Sequence, residues 1–337
     1  MSGYSRIRAA DVHVPERRQS EEELVDLIRE AVAPGIKVPP RVIAHMYHIR
    51  GRAVAPASWY PSDLAAAATE RALRAAGWDA ADVDLLIYAS VSEDVEEPAT
   101  AHIVADKIGA RCPVFDVKNA CNSVLNSIEV ADALIRSGTR HDRVVIATGE
   151  MLSRHTREVI RDRRELVEAL ASYSVGDMGA AVLVERSAEP GILATKSAAN
   201  SRGWRAATIP NIYMQQSLRE EVVGEGSVRS GDLWDAASAV FPDVHDCWED
   251  LGLKVRDMAL VCVHQPSVEF ARRTCERFGV ADDQVLITVR EYGNVGAATL
   301  PLQLRLAQES GRLREGDLVL LLGTASGASV GAVVLRW

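Results

Sequence analysis

Along this chain, short uninterrupted apolar runs alternate with longer stretches in which apolar residues recur every three or four positions. The first kind reads as strands buried on both faces, the second as amphipathic helices. DVDLLIYAS (82–90), DRVVIATGE (142–150), GDMGAAVLVER (176–186), RDMALVCVH (256–264), GDLVLLLGT (316–324) and ASVGAVVLRW (328–337) predict strands. SDLAAAATERALRAAG (62–77), NSVLNSIEVADALIRSG (122–138) and TLPLQLRLAQESG (299–311) predict helices, each closing on a glycine and the first opening on a serine N-cap.

The strands repeat. Aligning Ser90 with His264 requires a shift of 174 residues, and aligning Gly149 with Gly323 requires the same shift. A third match, Gly179 with Gly331, needs 152, so the first half carries 22 extra residues between its last two strands. The arginine-rich segment 151–172 fits that insertion, and Val159, Ile160, Leu166, Val167 and Leu170 give it a helical period. The chain therefore reads as a tandem duplication of one α/β unit, residues 1–187 and 188–337. Strands this apolar need helices on both sides of each sheet.

Composition narrows the class. A net charge of −9 over 337 residues argues against a nucleic-acid surface. The five cysteines are odd in number and form no C-x-x-C pair, which argues against a disulfide framework and a zinc site and for a reducing cytoplasm. The charged N-terminus lacks a signal-peptide core. LVLLLGTASGASVGAVVL is uncharged, but its Gly, Ser and Thr centre reads as strand, turn, strand rather than a membrane span.

The candidate chemistry starts at VFDVKNACNSVLNSIEVADALIRSG, where Cys121 stands between a strand and a helix. The shift of 174 carries Cys121 to position 295, beside Asn294, and His264 ends the strand matched to Ser90. Strand ends of doubly wound units converge on a ligand crevice, which would bring Cys121, His264 and Asn294 together. A thiolate at a helix N-terminus is stabilised by unpaired N–H groups and the positive end of the dipole. It can accept an acyl group from a thioester, while His and Asn N–H groups stabilise an enolate oxygen.

NAC at a helix start, HQPS after a strand and GN in EYGNVGAA resemble the active-site motifs of the ketoacyl-ACP synthase III group, from about Ile7 to Trp337. That resemblance implies a thiolase fold, an internally duplicated five-layered αβαβα with a pseudo-twofold axis. It implies Cys121 as acyl-accepting nucleophile, His264 and Asn294 as one oxyanion hole, and the backbone N–H groups of Cys121 and Ser326 as a second. It further implies a homodimer without a tightly bound cofactor or a metal, acting on acyl-CoA or acyl-carrier-protein thioesters.

SVSEDVEEPATAH adds a distinction. Glu97 precedes Pro98 where the fatty-acid-initiating members carry an apolar residue, in a loop that crosses the dimer interface in those relatives. The pattern is similar to enzymes of bacterial olefin and β-lactone biosynthesis that join two acyl thioesters head to head, and to pyrone-forming ketosynthases. Without a carboxylate to lose, the second thioester must be deprotonated, and a carboxylate in an apolar channel is the better base. Glu97 is the candidate base. Ser267 in HQPS and Ser326 point the same way. The tryptophan that stacks on the coenzyme A adenine in the initiating enzymes is absent here, near Val42. Arg50, Arg52 and the arginines of 151–172 are candidate contacts for a phosphopantetheine phosphate or a carrier protein. Four readings stay open: coupling without decarboxylation, decarboxylative initiation, transfer to an alcohol or amine, and a non-catalytic partner subunit.

Overall fold

The computed structural model describes residues 3–138, 140–209 and 227–337. The apolar runs form two sheets. The first contains β1 (Tyr4–His13), β2 (Leu85–Ala89), β3 (Val114–Val117), β4 (Arg143–Met151) and β5 (Asp177–Ser187), in the order β1-β5-β4-β2-β3. The second contains β6 (Ile192–Ala199), β7 (Leu260–Val263), β8 (Leu318–Ala325) and β9 (Ser329–Arg336), in the order β6-β9-β8-β7. Four successive strands match in order and sense: two antiparallel pairings, then a parallel one.

The glycines that suggested the repeat are partners within it. Gly149 lies opposite Gly179 in the first sheet, and Gly323 lies opposite Gly331 in the second. Each is a site of close approach: a Cβ on Gly149 would stand 1.8 Å from the Pro61 carbonyl oxygen, and one on Gly323 2.1 Å from Asn122 Oδ1. The halves differ at one edge. β3 extends the first sheet, whereas the positions matched to it in the second fall in the helical turn Val289–Tyr292.

The helices that matter for the site and the layers are α1 (Pro61–Ala76), α2 (Thr100–Ile108), α3 (Ser123–Arg136), α4 (Arg163–Tyr173), α5 (Val268–Phe278) and α6 (Thr299–Glu309). α1 and α2 cover one face of the first sheet, where Ala68, Leu73 and Val104 pack on Leu86, Val145 and Leu183. α3 and α6 lie between the sheets: Leu125, Ile128, Leu300 and Leu304 share a core with Ile87 and Ile146 on one side and Leu321 and Val333 on the other. α5, with Phe241 and Trp248, covers the far face of the second sheet. The result is the αβαβα layering expected. Among the described residues no helix is long and apolar enough to cross a membrane.

The insertion at 151–172 is α-helical only in its second half, after a single 3-10 turn at Leu152–His155. Asp162 adopts an extended backbone and its carboxylate caps the Glu165 N–H, so α4 starts at Arg163. Upstream, Ile160 instead forms a bridge with Val32 and is buried, while Val159 and Val167 face solvent. The first predicted helix likewise begins earlier than Ser62, with Pro61 in its first turn.

Candidate active site

Cys121 sits one residue before Asn122, the N-cap of α3, in a tightly stapled turn. Ala120 takes a left-handed backbone (φ +47°) that places the thiol at the helix entrance. The Ser123 hydroxyl donates to the Ala120 carbonyl and accepts from the Asn119 N–H, at 2.7 and 2.9 Å. Asn122 Nδ2 donates 3.0 Å to Ser329 Oγ, tying this turn to the second half at the end of the 326–328 turn. Ser326 lies in that turn, between β8 and β9.

His264 follows β7 directly and is 3% exposed. Its backbone N–H donates to Leu322, and its buried Nδ1 has no hydrogen-bond partner. Gln303 of α6 secures the outer side of this edge strand by accepting from the Val263 N–H and donating to its carbonyl. Asn294 lies on a loop held to the first half: its N–H donates to Ser174 and its carbonyl accepts from Gly176, both at 2.9 Å. Asn294 Oδ1 accepts the Gly296 N–H, which turns Nδ2 away from that bond as a donor. Val124, Cys262 and Ala297 lie within three residues of Cys121, His264 and Asn294 and pack in one core cluster.

Burial pushes the Cys121 thiol up to about 12, with the Glu150 carboxylate adding to it. Burial also lowers His264 to about 4. The resting pair is therefore thiol and neutral imidazole. This corrects the expectation of a thiolate stabilised by the helix terminus. Desolvation outweighs the dipole, and the anion needs the substrate or a proton acceptor.

Glu150, at the end of β4, was missed by the sequence reading. It is fully buried, its Oε1 accepts the N–H groups of Val91 and Ala297, and its Oε2 accepts the Ser92 hydroxyl. Burial raises its carboxyl to about 7 against these hydrogen bonds. Its signal was available: an acidic residue ending an otherwise apolar strand, level with the crevice.

Glu97 is exposed on the loop between β2 and α2, outside this cluster in its own chain. Neighbours in its acidic run have jobs of their own. Asp94 accepts from the Ser62 N–H and hydroxyl, and Glu93 pairs with Lys118 at 2.9 Å. Arg52 is not available to a phosphate as expected. It is 3% exposed, with Nε donating to Gln19 and Nη1 to the Val175 carbonyl, and it packs against Gly176 and Gly293 beneath the Asn294 loop. Arg50 is exposed and paired with Glu291 at 2.9 Å. Arg161 and Arg164 pair with glutamates one turn on, as a solvated helix face does. Ser267 caps α5 through the Phe270 N–H, which accounts for it without a catalytic role. Among the described residues no group of three or more His, Cys, Asp or Glu could hold a metal.

A duplicated five-layered fold with a cysteine at the α3 entrance, a buried histidine and a looped asparagine defines a thiolase-fold, acyl-transferring condensing enzyme. Residues 115–201 match the family model of 3-oxoacyl-[acyl-carrier-protein (ACP)] synthase III, and residues 248–337 match the model of its C-terminal part. The chain belongs to the 3-oxoacyl-[acyl-carrier-protein] synthase III family. Among solved structures it is similar to 3-oxoacyl-[acyl-carrier-protein] synthase III from Aquifex aeolicus VF5, with 26% identity, TM-score 0.84, and 99% of this chain and 100% of that one covered. It is also similar to OleA of Xanthomonas campestris. A histidine-to-alanine variant of OleA is 25% identical, with TM-score 0.84 and 100% and 99% covered. A form with bound lauric acid and lauroyl-CoA is 23% identical, with TM-score 0.87 and both chains fully covered.

Proposed function

We propose that this enzyme joins two acyl thioesters by a Claisen condensation without decarboxylation. The Cys121 sulfur attacks the first thioester carbonyl, its proton leaves with the departing thiol, and an acyl-Cys121 thioester forms. The N–H groups of Cys121 and Ser326 hold the tetrahedral oxyanion. The second thioester then loses its α-proton to Glu97, and His264 and Asn294 stabilise the enolate oxygen. The carbanion attacks the acyl-enzyme carbonyl. A carbon–carbon bond forms, the bond to Cys121 breaks, and the thiol regains its proton as a β-ketoacyl thioester departs.

The observation that carries this reading is where the Glu97 loop is anchored. The loop runs into α2, whose Thr100 and Ala101 N–H groups are capped by Asp116 at 2.8 and 2.9 Å. Asp116 belongs to β3, the outer strand of the first sheet, which presents half-buried Phe115 and Val117. An unpaired apolar edge favours pairing with a second copy. A homodimer across β3 would deliver the partner's loop to this site, so the base acts between subunits. OleA supports the same assignment. It has been crystallised with substitutions at one glutamate, one cysteine and one histidine, spaced as Glu97, Cys121 and His264 are to within two residues. It has also been crystallised with lauroyl-CoA, a thioester with no carboxylate to lose.

The two units, 1–187 and 188–337, are proposed as the products of the duplication, on the matching strand order. The free cysteines fit a cytoplasmic enzyme. The decisive experiment is Glu97→Ala assayed with two substrate sets. Coupling of two lauroyl-CoA molecules should fall about 10²-fold or more, while acylation of Cys121 persists. If the variant couples plain acyl thioesters as wild type does, Glu97 is not the base and decarboxylative initiation with a malonyl thioester becomes the better reading.

A further inference from the structure

The reaction as proposed makes no use of Glu150, yet no side chain in the site is more deliberately held. Its Oε1 accepts from Val91 at 3.2 Å and from Ala297 at 3.0 Å, and its Oε2 takes the Ser92 hydroxyl at 3.4 Å. Val91 and Ser92 are the root of the loop that runs to Glu97. Ala297 lies in the turn that follows Asn294, and that turn approaches so closely that a Cβ on Gly296 (φ +55°) would stand 2.8 Å from Glu150 Oε1. Cys121 and Tyr88 are the titratable groups that sense its charge. Burying a carboxylate carries a large desolvation cost, whereas an apolar side chain of similar size would pack without one. A carboxylate at this point therefore needs a reason.

We propose that Glu150 is a positioning residue for the carbon–carbon bond-forming half-reaction: one buried carboxylate sets the Asn294 turn and the root of the Glu97 loop on a single anchor. The proposal rests on the reaction assigned above. The hydrogen bonds fix both loops to one carboxylate. The negative charge opposes formation of the Cys121 thiolate in the empty site. These two consequences have opposite signs, and this separates positioning from a merely structural role.

The test compares wild type with Glu150→Gln and Glu150→Ala. Alkylation of Cys121 by iodoacetamide at pH 8.5, read by mass spectrometry, should be about tenfold faster in both variants, because an adjacent charge is gone. Coupling of lauroyl-CoA, counted per acyl-enzyme formed, should fall about 10²-fold in Glu150→Ala, the scale of a small misplacement of reacting groups. Glu150→Gln, which can still accept the two N–H groups, should recover a large part of that loss. Alkylation and coupling falling together in Glu150→Gln would overturn the proposal, as would full coupling by a folded Glu150→Ala. If wild type condenses only malonyl thioesters, the proposed reaction fails instead. The same comparison on the malonyl product then decides the part of Glu150 in placing the Asn294 turn.

Discussion

Replacing Glu150 by glutamine should change how stability depends on pH. Burial moves this carboxyl from an ordinary 4.5 to about 7. Between those values the folded chain keeps a proton that the unfolded chain has released, so folding stability falls as pH rises through this window. Each pH unit corresponds to about 1.4 kcal/mol, and the whole interval to about 3 kcal/mol. Glutamine has nearly the same shape, can accept the N–H groups of Val91 and Ala297, and does not titrate. The difference in unfolding free energy, Glu150→Gln minus wild type, should therefore increase by about 3 kcal/mol from pH 4.5 to 7 and stay level above about pH 8. Urea unfolding followed by circular dichroism at pH 5, 6, 7 and 8, at one protein concentration, measures it. Every other titrating group is common to both proteins and cancels in the difference. A difference that does not vary with pH would refute the reasoning, since it would mean that water or a cation reaches this carboxylate in the folded protein.

Two further outcomes follow from the same contacts. His264→Ala and Asn294→Ala should each reduce coupled product about 10²–10³-fold, the usual loss of one oxyanion donor, with Cys121 still alkylated; a loss under tenfold measured by product chromatography would remove that residue from the enolate site. Gly149→Ala should destabilise the fold more than Gly323→Ala, by about 3 kcal/mol or more against about 1–2 kcal/mol, because the first Cβ meets the Pro61 carbonyl and the second the side-chain ends of Asn122 and Leu125; adding Asn122→Ser should relieve part of the second and none of the first, as read from urea midpoints.

The duplication was legible because buried strands leave an uninterrupted apolar record and because Gly149, Gly179 and Gly323 leave no room for a side chain where they lie, with Gly331 tight against Leu125. Cys121, His264 and Asn294 stood out as candidates through the NAC, HQPS and GN motifs, each at a strand or helix end where periodicity breaks. What stayed hidden involves partners distant in sequence. Arg52 reads as a free cation until Gln19, Val175 and the glycines beneath Asn294 close around it. Glu150 reads as the polar end of a strand until Val91 and Ala297 converge on it from 59 and 147 residues away. The break in the 151–172 helix was written locally, in Asp162, but its cause is the bridge from Ile160 to Val32, which apolar period alone does not reveal.

One cause runs through the electrostatics of the site. Burial raises Cys121 to about 12 and Glu150 to about 7 and lowers His264 to about 4, so each of the three is pushed toward its uncharged form. With thiol and imidazole uncharged, the Cys121 and His264 side of the site costs little to fill with apolar acyl chains, because no hydration shell has to be stripped from those two groups. Glu150 already accepts three hydrogen bonds, from Val91, Ala297 and Ser92, which makes it a poor acceptor for a substrate proton. In the reaction proposed above, the α-proton would go to a carboxylate other than Glu150. Glu97 meets that condition on its exposed loop beside the open β3 edge, and a second copy of the chain is what would bring it in.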